Sequence, residues 1–284
     1  MSRSQLVALG LTRWQIDAEL RAGRWAAHQR QTIAIHTGGL TEPATWWSAI
    51  FEVGAGAALD GSTALRAAGL RAFDDVLHVS APKSSRPRRP RGVVVHETRR
   101  RQPGDLIEVG VPRVRPPTAA IRAALWARSD RQAALILAMS VQQRITTPKA
   151  LAEALTAVRR HRRRKFLAVI LADLVSGAQS MGELDFARRC REFGLPEPDR
   201  QTLRSGPDGV FHLDAEWSPY GVIAEIEGVH HLEAAQALAD ASRQNELTIG
   251  NSHVLRIPVI ALRISPDHYL TQLARLLRAG GWPG

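Results

Sequence analysis

Residues 210–231, VFHLDAEWSPYGVIAEIEGVHH, decide how the C-terminal part of this chain folds. In the first run Phe211, Leu213, Ala215 and Trp217 alternate with His212, Asp214 and Glu216. In the second, Val222, Ala224 and Ile226 alternate with Ile223, Glu225 and Glu227. A period of two gives each run one apolar and one mostly polar face, which predicts two β-strands. Ser218-Pro219-Tyr220-Gly221 between them is a turn signal, because Pro presets φ and Gly accepts positive φ. Pairing Trp217 with Val222 sets a hairpin register that puts Asp214 directly opposite Glu225. Directly opposed residues have Cβ atoms about 5 Å apart, and like charges so placed destabilise by up to ~1 kcal/mol. A hard divalent cation taking oxygen ligands turns that repulsion into binding. An ordinary solvated hairpin face is the alternative reading.

The surrounding segments predict helix, strand, helix: residues 231–247, the strand His253-Val254-Leu255-Arg256-Ile257, and a helix from Pro266 to about Ala279. The last helix has Ser265 as N-cap, Pro266 first, Asp267 in the first turn and Gly280 after its end. Tyr269, Leu270, Leu273, Leu276 and Leu277 form its apolar stripe. The expected class is α/β (α+β), with a C-terminal mixed sheet flanked by helices.

The order of acidic and basic residues resembles the restriction-endonuclease-like, or PD-(D/E)XK, fold, and is most similar to its very-short-patch-repair (Vsr)-like group. The matching elements are Glu183 on a helix, Asp214 on a strand, Glu225-Ile226-Glu227-Gly228-Val229-His230-His231, and Arg243-Gln244-Asn245. The match covers about the last 110 residues. One departure is Glu227, where the group usually has Asp. A ligand shift of about an ångström can cost ~10²-fold in rate. The resemblance implies a Mg²⁺ (or Mn²⁺) cofactor that polarises a phosphoryl oxygen and acidifies a bound water. Asp214 and Glu225 would be direct ligands and Glu183 would complete the shell, though Ser180-Met181-Gly182-Glu183 equally fits a capping box. His231 is the candidate proton acceptor, with a structural role at a strand-to-helix junction as the alternative. Arg243 is a candidate catalytic residue, or one that contacts the DNA backbone or braces a carboxylate, and Asn245 a hydrogen-bonding support.

A second signal lies at residues 2–36. SRSQLVALG and LTRWQIDAELRAGRW are two short helical patterns separated by Gly10-Leu11. Thr12 and Gln15 have capping-box spacing, Leu6, Leu9, Leu11, Ile16 and Leu20 can form a small core, and Gly23 can end the second helix. Residues 28–36 then read as a wing strand. This segment resembles the winged helix of AbiEi-type antitoxins, with Arg30-Gln31-Thr32-Ile33 where that family usually has Arg-Gly-Val-Tyr. The resemblance implies DNA as a partner, together with a cognate toxin. Arg13, Gln15, Arg21 and Arg24 are the candidates to meet DNA if the helix enters the major groove. A packing module without DNA contact is the alternative.

The 284 residues allow three regions: 1–38, a winged helix-turn-helix; 39–175, an AbiEi-like mixed then helical region; and 176–284, the nuclease-like domain. A net charge of +11 favours polyanionic partners. Two clusters carry much of it: Lys83, Arg86, Arg88, Arg89, Arg91, Arg99, Arg100 and Arg101 among prolines, and RRHRRRK at 159–165. Both could track phosphates, or be ordinary solvated surface. In the middle region Thr41–Leu70 reads as helix, 76–80 and 92–96 as strands, and 118–176 as helices, with no chemistry assigned.

Cys190 is the single cysteine, which excludes an intrachain disulfide and a cysteine-rich zinc site. The chain shows no apolar signal core, bilayer-length apolar run, P-loop or His-Glu-x-x-His motif, so a cytoplasmic location without membrane association is expected. Three readings follow: a Mg²⁺-dependent DNA endonuclease, an antitoxin-like regulator or defence-associated DNA-binding protein with an inactive nuclease-like domain, and a nuclease directed at RNA.

Overall fold

The computed structural model describes the chain apart from residues 72, 74, 100, 102, 103, 177–182, 206–210 and 228–253; for residues 176, 183–185, 200–205, 211–214 and 227 it describes the backbone. The described residues form a mixed α/β protein with three sheets, in two compact units, Met1–Ala123 and Ala124–Gly284. The unit boundary falls inside the segment 39–175, whose mixed part joins the first unit and whose helices join the second.

The first unit opens with α1 (Arg3–Ala8), α2 (Arg13–Arg21) and the antiparallel hairpin β1 (Ala26–His28) and β2 (Thr32–Ala34). Both helices start in reciprocal capping boxes. Gln15 N–H donates to Thr12 Oγ1 at 3.3 Å while Thr12 N–H donates to Gln15 Oε1 at 2.8 Å, and Ser2 and Gln5 repeat the pattern on α1. Leu6, Ile16 and Ile33 are the buried core, with Leu11, Leu20 and Trp25 packed on it. Leu9, expected inside, is 67% exposed, because it caps the end of α1 and points away from α2.

The hairpin is held by a buried charge. Glu52, on α3 (Glu42–Val53), is 3% exposed and its carboxylate accepts from the backbone N–H groups of Arg30, Gln31 and Thr32 and from Thr32 Oγ1. Charge-assisted bonds of this kind are about twice as strong as neutral ones. The non-glycine turn residue Gln29 has φ 61°, which presents the following amides to that carboxylate.

The helix expected over Thr41–Leu70 is broken. α3 ends at Gly54, with φ 114°, and is followed by β3 (Ala58–Leu59) and α4 (Gly61–Ala67). The expected strands are β4 (Leu77–Pro82) and β5 (Val93–Thr98). With β6 (Leu106–Ile107) and β7 (Arg113–Val114) they form a five-stranded sheet of order β5-β4-β3-β7-β6. β4 and β5 run parallel, and Asp75, His78 and His96 make a chain along them. His78 Nε2 lies 3.3 Å from Asp75 Oδ2, His78 Nδ1 lies 2.9 Å from His96 Nε2, and Ser62 Oγ donates to Asp75 at 3.0 Å. With Nε2–H of His78 facing Asp75, its Nδ1 accepts from His96, which sets both tautomers. Burial and the adjacent His78 push His96 down to about 4.

In the second unit α5 (Pro116–Trp126) leads into α6 (Asp130–Gln142), α7 (Pro148–Thr156) and α8 (Arg164–Ser176). Then come α9 (Glu183–Glu192), β8 (Arg200–Ser205), β9 (Phe211–Trp217), β10 (Val222–Glu227), β11 (Val254–Pro258), α10 (Ala261–Ile264) and α11 (Pro266–Ala279). The sheet order is β11-β10-β9-β8, with β8, β9 and β10 antiparallel and β11 parallel to β10. Ala215, Trp217, Val222, Ala224, Ile226, Leu255 and Ile257 are buried on one face, where Phe186 of α9 meets Trp217 edge-on and α11 packs on β10 and β11. The whole predicted stripe of α11 is buried. Ser265 occupies the cap position without a side-chain cap bond, and Gly280 is needed for space, since a Cβ there would meet Tyr220 O at 2.3 Å.

Two outcomes follow from these buried groups. Glu52→Ala leaves three amides without their acceptor and is expected to destabilise the first unit by about 3 kcal/mol, read as lost hydrogen-exchange protection at Gln31 and Thr32. For His96, a folded-state value below the usual 6.5 means that the unfolded chain binds the proton first. Stability is therefore full above about pH 6.5 and is lost as pH falls toward 4, and the thermal midpoint of His96→Gln should decline less steeply over that window than the parent's.

Candidate functional site

The β9–β10 hairpin forms in the predicted register. Trp217 pairs with Val222 and Asp214 with Glu225. The turn is a single 3₁₀ turn, Ser218–Tyr220, closed by Gly221 in the left-handed region at φ 62°. Two bonds anchor it: Ser218 N–H donates to Asp199 Oδ2 at 2.6 Å, and Trp217 Nε1–H donates to Pro196 O at 2.9 Å. Because Trp217 and Val222 are buried, Glu225 lies on the opposite face, where its side chain is 32% exposed.

The parallel pairing of β10 with β11 extends the row. Thr202, Asp214, Glu225 and Arg256 are successive register partners across the four strands. Arg256 Nε donates to Glu225 Oε2 at 3.0 Å, with the arginine side chain 53% exposed. Sequence reasoning missed Arg256. Its only signal was one charged residue in an otherwise apolar strand, and the parallel register that aligns it with Glu225 has no local sequence mark. At the end of the hairpin Glu227 pairs with His212 on one side and Pro258 on the other.

Of the other expected site residues, Glu183 is the first residue of α9, with its backbone described and its side chain not. The capping box at 180–183 lies partly outside the described residues, and His231, Arg243 and Asn245 lie wholly outside them. The helix expected over 231–247 does so too.

The donor chemistry at this row suits a hard cation. Carboxylate oxygens are the ligands that Mg²⁺ and Mn²⁺ take, and the backbone register brings two carboxylate-bearing positions into direct opposition. Among the described residues no group of three or more His, Cys, Asp or Glu is placed to hold a metal ion. A full ligand set therefore needs side chains beyond those described, Asp214 and Glu183 among them.

The four residues expected to meet DNA are all exposed on the N-terminal module. They differ in their commitments. Arg24 is held by Glu19 through two bonds of 2.6 and 2.7 Å, Arg21 Nε donates to Asp17 O, and Gln15 is occupied in the capping box. Arg13 is the first residue of α2, beside Trp14, which is 80% exposed.

Several arginines of the two basic clusters serve the fold. Arg88 donates to the carbonyls of Phe51 and Glu52 and so caps the end of α3. Arg101 ties Gly56 O to Ser80, and Arg89 pairs with Glu97. Arg163, 5% exposed, binds the carbonyls of Leu125 and Ala127 and the carboxylate of Asp130. Lys83, Arg86, Arg91, Arg99, Arg159, Arg160, Arg162, Arg164 and Lys165 stay exposed. Cys190 is buried and its thiol is pushed up to about 12 by burial, so it is inert rather than nucleophilic. An apolar cavity of about 320 Å³ between β2 and α3, lined by Ile33, Ile35, Trp47 and Phe51, has no carboxylate in its lining and offers no phosphodiester chemistry.

No family model, curated protein or solved structure matches this chain.

Proposed function

We propose that the protein is a metal-dependent endodeoxyribonuclease of the PD-(D/E)XK type, most similar to the Vsr-like group, whose N-terminal winged-helix-like module holds DNA. The observation that carries this reading is the pairing of Asp214 with Glu225 in adjacent antiparallel strands, next to a parallel strand. Asp214 and Glu225 would hold Mg²⁺ or Mn²⁺, with Glu183 completing the shell. The bound cation would supply Lewis-acid activation of the phosphodiester and a more acidic water. His231 would take the proton from that water, and Arg243 would steady the phosphate or a carboxylate. The net charge of +11 and the exposed arginines at 83–101 and 159–165 support a polyanionic substrate.

A second reading is favoured by one observation. Glu225 already has a cationic partner in Arg256, and Glu227 stands where the group usually has Asp, as expected of a DNA-binding regulator with an inactive nuclease-like domain. In that reading a toxin is a partner.

Plasmid cleavage separates the two. With Mg²⁺ or Mn²⁺ the parent should nick or linearise DNA, and Asp214→Ala and Glu225→Ala should lower the rate by ~10²-fold or more while DNA binding persists. Absence of cleavage by pure parent protein with either metal supports the regulator. For the N-terminal module, Arg13→Ala is expected to weaken duplex binding in fluorescence anisotropy more than Arg24→Ala, since Glu19 already neutralises Arg24.

A further inference from the structure

We infer that Arg256 is an internal counter-ion of the metal site, which occupies Glu225 in the metal-free protein and must leave it for a divalent cation to load. The inference rests on the metal-site reading above and deepens it by naming what regulates loading. Three observations carry it.

The first is position. Asp214, Glu225 and Arg256 are consecutive partners on three adjacent strands, which lie about 4.8 Å apart. The cation expected beside Asp214 and Glu225 and the guanidinium therefore compete for the same carboxylate. The second is contact: Arg256 Nε meets Glu225 Oε2 at 3.0 Å. The third is exposure. Arg256 is 53% exposed and Glu225 32%, so the guanidinium can swing into solvent with little desolvation. The buried pair Arg263–Asp173 in the same unit, 15% and 1% exposed, cannot open so cheaply.

The physical consequence is a threshold. Two carboxylates in adjacent register repel each other without a cation, and Arg256 relieves that repulsion on one side. A half-exposed ion pair is weak enough for a dication to displace, yet it subtracts from metal affinity by whatever its own stability is. Arg256 thus sets the cation concentration at which the site loads.

The test is Mn²⁺ binding to the full chain, followed by electron paramagnetic resonance of free Mn²⁺ and by calorimetry, without DNA. The component of binding that disappears in Glu225→Gln defines the site. In Arg256→Gln that component should tighten about five-fold, the factor corresponding to a lost exposed ion pair. Arg256→Lys, which keeps the charge, should bind as the parent does. Arg275→Gln, which removes an exposed positive charge on α11, should also match the parent. Unchanged or weaker Mn²⁺ binding in a folded Arg256→Gln variant overturns the counter-ion role while the metal site stands. If the parent has no component that depends on Glu225 and Asp214, the metal-site reading fails, and the counter-ion role with it.

Discussion

The register of the β9–β10 hairpin is the constraint on which the candidate site depends. Side chains on a strand alternate with a period of two, so a slip of one residue would exchange the faces of every residue on a strand. Here the slip is prevented from two directions. Trp217, Val222, Ala224 and Ile226 lose their buried environment if the strand shifts, and the anchored turn with Gly221 at positive φ holds the hairpin end. Glu225 is on the half-exposed face because the apolar residues have no other place. The acidic row follows from core packing.

Arginine has two uses in this chain, and composition alone does not separate them. Arg88, Arg101 and Arg163 spend their donors on backbone carbonyls at helix ends and loop crossings, which is where five fixed N–H groups satisfy several acceptors at once. These residues sit inside the clusters that look most suited to phosphate. The neighbouring Arg86, Arg91, Arg159, Arg160 and Arg162 remain exposed on the surface. A stretch such as RRHRRRK therefore contains both a buried structural tie and solvent-facing charges, and the difference between Arg162 and Arg163 is which side of the chain faces the carbonyls of Leu125 and Ala127.

The parts of the fold that were legible were those with local physical marks. Capping residues and their glutamine partners identified α2, alternation identified β4, β5, β9 and β10, and the leucine spacing of α11 predicted its buried face. The break in the expected 41–70 helix was missed, because the apolar stretch before Gly54 and after it reads as continuous when the strand Ala58–Leu59 is only two residues long. The first strand of the wing was also missed, and Leu9 was placed inside when its position at the end of α1 turns it outward. In each case short elements carry too few residues for a period to be recognised.

The sequence alone determined the hairpin, its register and the opposition of Asp214 and Glu225, since turn chemistry and two-residue alternation act between neighbours in the chain. Tertiary structure decided the rest. Arg256 reaches Glu225 through a parallel pairing between strands 31 residues apart, Glu52 binds amides some 20 residues away, and His78 meets His96 across β4 and β5. Those contacts join groups from separate elements, and no local pattern encodes them, because which strand lies beside which is settled by burying the apolar faces together.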